Sequence, residues 1–452
     1  MNPPSFLARP SPSIAELKQF YVGKDINDVP KPAVVLDVAI IKKHCQAMLD
    51  AAKALNVGFR AHVKTHKTPQ ATRLQVGESS QEVNLVISTV LEGEILVPLL
   101  QEFQRAGRSV NVLYGIPLVP SQVPRLATLS RLLGEKSISV MIDHPDQVDL
   151  LQTFHETSGH AACVFLKVDS GYHRAGLPPN KLNKNGLLEK VAAAEKQGHA
   201  SLLGLYSHNS LSYSGSTPEE LMAYLNEEIS SCRDALKQNL QLLPTDRELV
   251  ISVGATPQVV SSQHLLHESL SSGAEALRNL LHDPDHDVNA KVKVELHAGV
   301  YPFLDMQQLG TNVHETRDAE SEIGISVIAE VCSVYNNGER SQPEALVAAG
   351  SLALGREPAA SYPGWGLISA WRREPGASRL LVQRISQEHA IVSWEDKSDQ
   401  SKIPLKLGQS VKIFPNHACI TGALYGWYLI VDSSEDGDGS RIIDVWPRIN
   451  GW

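Results

Sequence analysis

Hydrophobic and polar positions follow two rhythms along this chain. Short runs rich in Val, Ile and Leu fall at 59–64, 84–88, 110–115, 138–143, 163–169, 202–207, 249–253 and 292–296. Runs of this length and composition, bounded by turn residues, read as strands. Between them lie longer segments with apolar residues at helical spacing, among them 91–106, 120–133, 145–155 and 218–241. Strand and helix therefore alternate, which predicts a parallel sheet covered by helices. Eight such strands close as a TIM-like (β/α)8 barrel, whose chemistry collects at the C-terminal ends of the strands. An open doubly wound sheet shares the same periodicity, but no GxGxxG follows the first strand to favour it. Ahead of these units, 14–21 and 39–55 have helical character and 32–37 reads as a short strand.

Past residue 310 the texture changes. Short β-rich runs at 323–334, 344–349, 378–386, 390–394, 410–414 and 428–432 are broken by turns such as Asn336-Asn337-Gly338 and 434–439. This pattern predicts a C-terminal all-β domain. The expected fold class is α/β, with an N-terminal arm over 1–30, a barrel over 31–310 and a β domain over 311–452.

Composition narrows the function classes. A chain of 452 residues has material for two domains and a deep site. Its 41 basic and 50 acidic residues give a net charge of -9 without long runs. That distribution offers no footprint for nucleic acid or an anionic membrane, so small-molecule chemistry is the expectation. Five cysteines, Cys45, Cys163, Cys232, Cys332 and Cys419, contain no CxxC pair, which points to a reducing compartment. No window reaches the ~18 apolar residues of a membrane span. Residues 1–13 are rich in Pro and Ser and lack a signal-peptide core. A cytoplasmic protein is expected.

The densest chemistry lies in 61–68, where two histidines and two lysines crowd a strand end. If 60–65 is extended, His62, Lys64 and His66 share one face. A lysine set among other cations, in a pocket that sheds water, gives up its proton more readily and becomes a nucleophile. A Schiff-base lysine and a solvated basic strand end both satisfy these residues. Other strand ends carry weaker signals. Arg174 stands between Gly171 and Gly176, where its guanidinium suits an oxyanion or a helix cap. Tyr206-Ser207-His208 ends another strand, and Gly254-Ala255-Thr256-Pro257 makes a small-residue turn into a helix. Such a turn suits a phosphate or is simply structural. Far along the chain, His417 and Cys419 are two apart, so an extended segment points both at one borderline cation, zinc first. Two protein ligands leave positions open for water or substrate; structural zinc sites use four.

Together these motifs resemble the eukaryotic-type D-serine dehydratase family, built on the alanine racemase fold and using pyridoxal 5'-phosphate and Zn2+. The resemblance rests on HVKTHKT at 62–68, VDSGYHRAG at 168–176, VGATP at 253–257 and the segment 295–301. Further on it rests on ALGRE and PGWG within 353–366, SQEH at 386–389 and NHAC at 416–419. It implies that Lys64 anchors the cofactor and takes the substrate's Cα proton, and that Gly254, Ala255 and Thr256 hold the cofactor phosphate. Arg174 would lie near the ring oxygen, Tyr206 beside the cofactor, and His417 and Cys419 on zinc. The implied fold adds the N-terminal segment to the β domain, and the implied assembly is a homodimer in which one subunit's β domain covers the other's barrel.

The implied reaction is a lyase elimination of the β-hydroxyl from a 3-hydroxy-D-amino acid, with D-serine giving pyruvate and ammonia. D-threonine aldolases resemble the pattern too, but carry His-x-Asp where His417 and Cys419 stand. 3-Hydroxy-D-aspartate dehydratases also fit, and a non-catalytic pyridoxal phosphate carrier is the alternative of a different class. Three positions depart from the family. Ala61 follows Arg60 where a proline is usual, 208–213 lacks a second histidine and glycines, and Tyr362 stands where relatives have histidine. The last two are expected to meet the substrate carboxylate or the metal's water.

Overall fold

A computed structural model describes residues 9–244, 246–313, 318–372 and 378–452. The first eight residues of the expected arm lie outside the described residues. The chain divides into two compact units. One holds Gln46–Gly299 with Gly451–Trp452, and the other holds Pro10–Cys45 with Val300–Asn450.

Strand β1 (Ala33–Asp37) belongs to the second unit. The next eight are β2 (Gly58–His62), β3 (Glu82–Ile87), β4 (Ser109–Pro117), β5 (Ile138–Ile142), β6 (Ala162–Lys167), β7 (Ala200–Tyr206), β8 (Leu249–Val253) and β9 (Val292–Ala298). They pair in parallel in that order and β9 closes on β2, giving the eight-stranded barrel that the alternation predicted. Period-two alternation puts Arg60 and His62 on one face of β2, and that face is the barrel interior. Arg60 Nε donates to Glu295 Oε1 at 2.6 Å, and its Nη1 donates to Asn111 Oδ1 at 2.8 Å and to the Leu85 carbonyl at 3.2 Å. Asn84 Nδ2 reaches Glu295 Oε2 at 3.0 Å. A hydrogen-bonded polar layer thus fills the lower barrel. Above it pack Val86, Leu113, Met141, Phe165 and Tyr206.

The second unit continues with β10 (Ile325–Tyr335), β11 (Glu344–Val347), β12 (Gly366–Ile368), β13 (Leu380–Ile385), β14 (Ala390–Trp394), β15 (Ser410–Pro415), β16 (Trp427–Val431) and β17 (Asp444–Pro447). Its sheet runs β11-β14-β13-β12-β15-β10-β1-β16-β17, and an additional β10–β11 pairing closes the first part into an antiparallel barrel. Inward Val327, Val331, Val347, Val392 and Ile413 build its core. A second core gathers Leu17, Ile26, Val35, Ile328 and Val445. Leu17 comes from the helix Ile14–Tyr21, which opens with a capping box between Ser13 and Glu16. The compact barrel unit spans 46–299 where 31–310 was expected, and its start is late because β1 pairs with β10 and β16 rather than with any barrel strand. Among the described residues, no helix is long and apolar enough to cross a membrane.

Candidate active site

β2 ends at His62, and the next residues turn instead of extending. The Val63 N–H still bonds the Val86 carbonyl, but Lys67 N–H returns to the Val63 carbonyl at 2.8 Å and Lys67 takes φ 52°. The expectation that His66 shares a face with Lys64 is therefore corrected. His66 is buried, its Nε2 lies 2.9 Å from Gln75 Oε1, and its Nδ1 accepts the Thr68 N–H. It braces the start of the helix Pro69–Val76. The two lysines separate as well. Lys67 Nζ pairs with the buried Glu92 at 2.8 Å, whereas the Lys64 ammonium has no hydrogen-bond or ion-pair partner among the described residues. His62 stays with it, its Nδ1 accepting the Lys64 N–H at 3.3 Å.

Three imidazoles surround this end of the barrel. Loss of water around the ring, and then the Lys64 charge, holds His62 well below its ordinary value. His208 is lowered in the same way by desolvation, Lys64 and Arg174. His297, on β9, is 2% exposed and is lowered by burial first and by His208 second. All three are neutral at physiological pH. Tautomers follow from their partners. His208 Nδ1 lies 2.6 Å from the Gly254 carbonyl, which only accepts, so Nδ1 carries the proton and Nε2 accepts from the Ser210 hydroxyl at 3.0 Å. His297 Nδ1 lies 3.2 Å from Ser252 Oγ, and its Nε2 is buried without a partner among the described residues. The His297 ring stacks on Tyr206 at 4.3 Å between centroids. Burial raises the Tyr206 phenol, which therefore stays protonated.

Arg174 follows β6 on an exposed loop. Asp169 organises that loop by accepting the Gly171 and His173 N–H groups, and Arg174 lies over the Tyr172 ring at 5.3 Å. Its charge reaches Tyr206 and His208. The Gly254 turn follows β8 and opens the helix Thr256–Ser261, whose N-cap Ala255 makes no side-chain cap. Gly254 is committed on both sides. Its carbonyl takes His208, and its N–H faces the buried carboxylate of Glu228, which also accepts from Gln258. Burial raises Glu228 and lowers the nearby Lys167 to about 8. Lys167 Nζ sits 5.1 Å from the Tyr206 ring centroid. Lys64, Arg174, Tyr206 and the Gly254-Ala255-Thr256 turn thus all stand at C-terminal strand ends of one barrel.

His417 and Cys419 belong to the second unit. The segment is not extended, since β15 stops at Pro415 and the helix Ala418–Ala423 begins at once with His417 as N-cap. The pair meets because a residue at N-cap and one in the first turn lie side by side. Burial pulls the His417 imidazole down, but the hydrogen bond and charge of Cys419, with Asp305 behind, lift it above its ordinary value. His417 Nδ1 is buried and has no hydrogen-bond partner among the described residues. Among the described residues no three His, Cys, Asp or Glu side chains gather as a metal site.

Sequence reasoning missed His297, Glu228, Lys167 and Asp305. Glu228 had a usable signal, since it shares a helical stripe with Leu221, Leu225 and Cys232.

Two family models match the chain. "Alanine racemase, N-terminal domain" covers 36–271 and "Putative serine dehydratase domain" covers 324–431. The chain is 34% identical over 440 residues to a D-serine dehydratase of Schizosaccharomyces pombe, a match spanning 97% of this chain and 95% of that protein. To a D-serine dehydratase of Saccharomyces cerevisiae it is 30% identical over 455 residues, spanning 96% and 98%. A solved histidine-to-alanine variant of D-threo-3-hydroxyaspartate dehydratase superposes with a TM-score of 0.74 at 25% identity, over 95% of this chain and 97% of that one. Further off, a 3-hydroxy-D-aspartate aldolase of Paracoccus denitrificans is 21% identical over 431 residues, 94% of this chain and 93% of that protein.

Proposed function

The chain belongs to the eukaryotic-type D-serine dehydratase family, on the alanine racemase-like fold, and from that premise we propose that it removes the β-hydroxyl of a 3-hydroxy-D-amino acid, D-serine before others, releasing pyruvate and ammonia. It is a D-serine dehydratase-like ammonia-lyase, and the family implies pyridoxal phosphate as cofactor and a D-amino acid as substrate. The observation that carries the finer reading is Lys64, an ammonium without a partner among the described residues, beside neutral imidazoles, while Lys67 is neutralised by Glu92.

The residues fit pyridoxal phosphate. Lys64 supplies a primary amino group, the Tyr206–His297 stack a flat surface, His297 Nε2 a buried polar atom without a partner among the described residues, and the Gly254 turn a helix start whose N-cap residue makes no side-chain cap. Gly254 itself contributes the bend, because its N–H faces Glu228; Ala255 and Thr256 complete the phosphate turn. Arg174 is the cation for the ring oxygen. When bound, the cofactor withdraws electrons from the substrate's Cα and acidifies its proton. Lys64 would hold the cofactor, and its Nζ would be the base that takes that proton. His62 and His208 stand beside Lys64 as neutral rings, held so by burial and by the Lys64 charge.

His417 and Cys419 fit zinc. A thiol and an otherwise unpartnered buried imidazole nitrogen make a soft-to-borderline donor pair, which favours zinc over the hard ions that a carboxylate at 419 would prefer. Zinc held there would supply Lewis acidity to the departing hydroxyl. In the same reading the protein is a cytoplasmic homodimer. Cysteines outside any disulfide support a reducing compartment, and exposed Ile116, Val119, Tyr172, Leu211 and Tyr213 at the barrel's strand ends support coverage by a second copy.

The test is a substrate panel with purified protein, pyridoxal phosphate and zinc. Keto acid and ammonia formed fastest from D-serine support the reading. Glycine and an aldehyde from D-threonine as the fastest reaction replace it with retro-aldol cleavage, and faster turnover of 3-hydroxy-D-aspartate moves the substrate. Cofactor absorbance without turnover on any of the three makes the chain a carrier.

A further inference from the structure

Tyr362, at a position expected to meet substrate or the metal's water, is instead 7% exposed, and its hydroxyl donates to Asn416 Oδ1. Asn416 immediately precedes His417. Its amide is fully used, because Nδ2 donates to the carbonyls of Glu357 and Gly364, each at 2.9 Å, while Oδ1 takes the phenol. The Asn416 carbonyl accepts the Gln307 N–H at 3.2 Å. On the other side of His417, the Ala418 N–H donates to Asp305 Oδ2 at 2.8 Å, and Asp305 Oδ1 takes the Gln308 N–H at 2.9 Å. Asn416, Ala418 and Asp305 are all buried. The backbone is thereby fixed on both flanks of a histidine whose own Nδ1 has no partner among the described residues. Gly364 is matched to this brace, since a Cβ there would fall 2.4 Å from Tyr362 Cε2.

Resting on the zinc reading above, we infer that Tyr362, through Asn416, and Asp305, through Ala418, are positioning residues that hold His417 and Cys419 in ligating geometry. Tyr362 acts on the metal without touching it. Burial keeps its phenol protonated and so a permanent donor. Groups that orient metal ligands typically change metal affinity by about 10–100-fold when removed.

The experiment measures zinc affinity by chelator competition, and the thiolate-to-metal band after cobalt replaces zinc, in wild type, Tyr362→Phe and Cys419→Ala. Tyr362→Phe should weaken zinc about tenfold or more and shift the cobalt band. A merely structural tyrosine would lower the melting temperature and leave both metal readouts unchanged, and that result overturns the inference. If Tyr362→Phe does not fold, Asp305→Asn carries the same expectation and the same refutation. Wild type that holds no zinc, or Cys419→Ala that holds it equally well, sinks the zinc reading itself and the inference with it.

Discussion

Replacing Gly254 by alanine places a Cβ 2.5 Å from the His297 carbonyl oxygen, 2.6 Å from Val259 Cγ2 and 3.2 Å from the His297 nitrogen. Two of these atoms are backbone of β9 and cannot swing aside as a side-chain tip does. The position also has φ 137°, where an L side chain is strained by about 1–3 kcal/mol. Gly171 is the natural comparison, with φ 111° and nothing within 4 Å of the point where a Cβ would stand. Gly171→Ala therefore meets backbone strain alone, while Gly254→Ala meets strain and collision together. Relief of the collision must displace the turn, together with the bonds that tie Gly254 to His208 and Glu228. If the shift removes ~2–3 kcal/mol of phosphate binding, the dissociation constant for pyridoxal phosphate rises ~30–150-fold. Titration of cofactor-free protein, followed by absorbance or fluorescence quenching, reads this directly. Binding by Gly254→Ala that equals Gly171→Ala would refute the role given to the turn.

Other consequences follow from the same geometry. Glu295→Ala strands the buried Arg60 guanidinium and should lower stability by about 3–5 kcal/mol in denaturant titrations, whereas joint replacement of Arg60 by Met and Glu295 by Leu should cost far less. Burial raises the Glu322 carboxyl, but hydrogen bonds from His44 and Lys43 outweigh it and hold the group at about 2, below 4.5. Because the folded-state value is depressed, this stabilisation is complete above about 4.5 and disappears as pH falls towards 2. The difference in melting temperature between wild type and Glu322→Gln should shrink across that window, and a constant difference would contradict the assignment. Chelation should stop elimination while leaving the cofactor absorbance in place, and added zinc should restore turnover; full activity after verified metal removal would discard the Lewis-acid step.

The barrel strands are legible in the sequence because each buried parallel strand is a short Val, Ile and Leu run with a helix after it; closure is not, since an open sheet has the same periodicity, and it is the β9–β2 pairing that closes the barrel. Long-range pairing is not legible. Nothing local in 33–37 says that β1 joins β10 and β16 instead of a barrel strand. At Lys64 the residue types are readable but the geometry is not. The alternation argument extends β2 three residues too far, and the positive φ of Lys67 has no signal in a residue type that seldom adopts it. His417 and Cys419 do come together, but through a different local structure, since a helix starts where an extended segment was expected. Tyr362 stands out in the sequence by its departure from the family, yet its partner, Asn416, becomes visible only in three dimensions.

Borohydride reduction of the cofactor-loaded protein followed by peptide mapping tests the central claim most directly, because it fixes the cofactor to the lysine that carries it. Three lysines compete at these strand ends: Lys64 without a partner among the described residues, Lys67 paired with Glu92, and Lys167 buried beside Glu228. The reduced adduct should lie on Lys64 alone and vanish in Lys64→Ala. An adduct on Lys67 or Lys167, or none on the wild-type protein, would contradict the account.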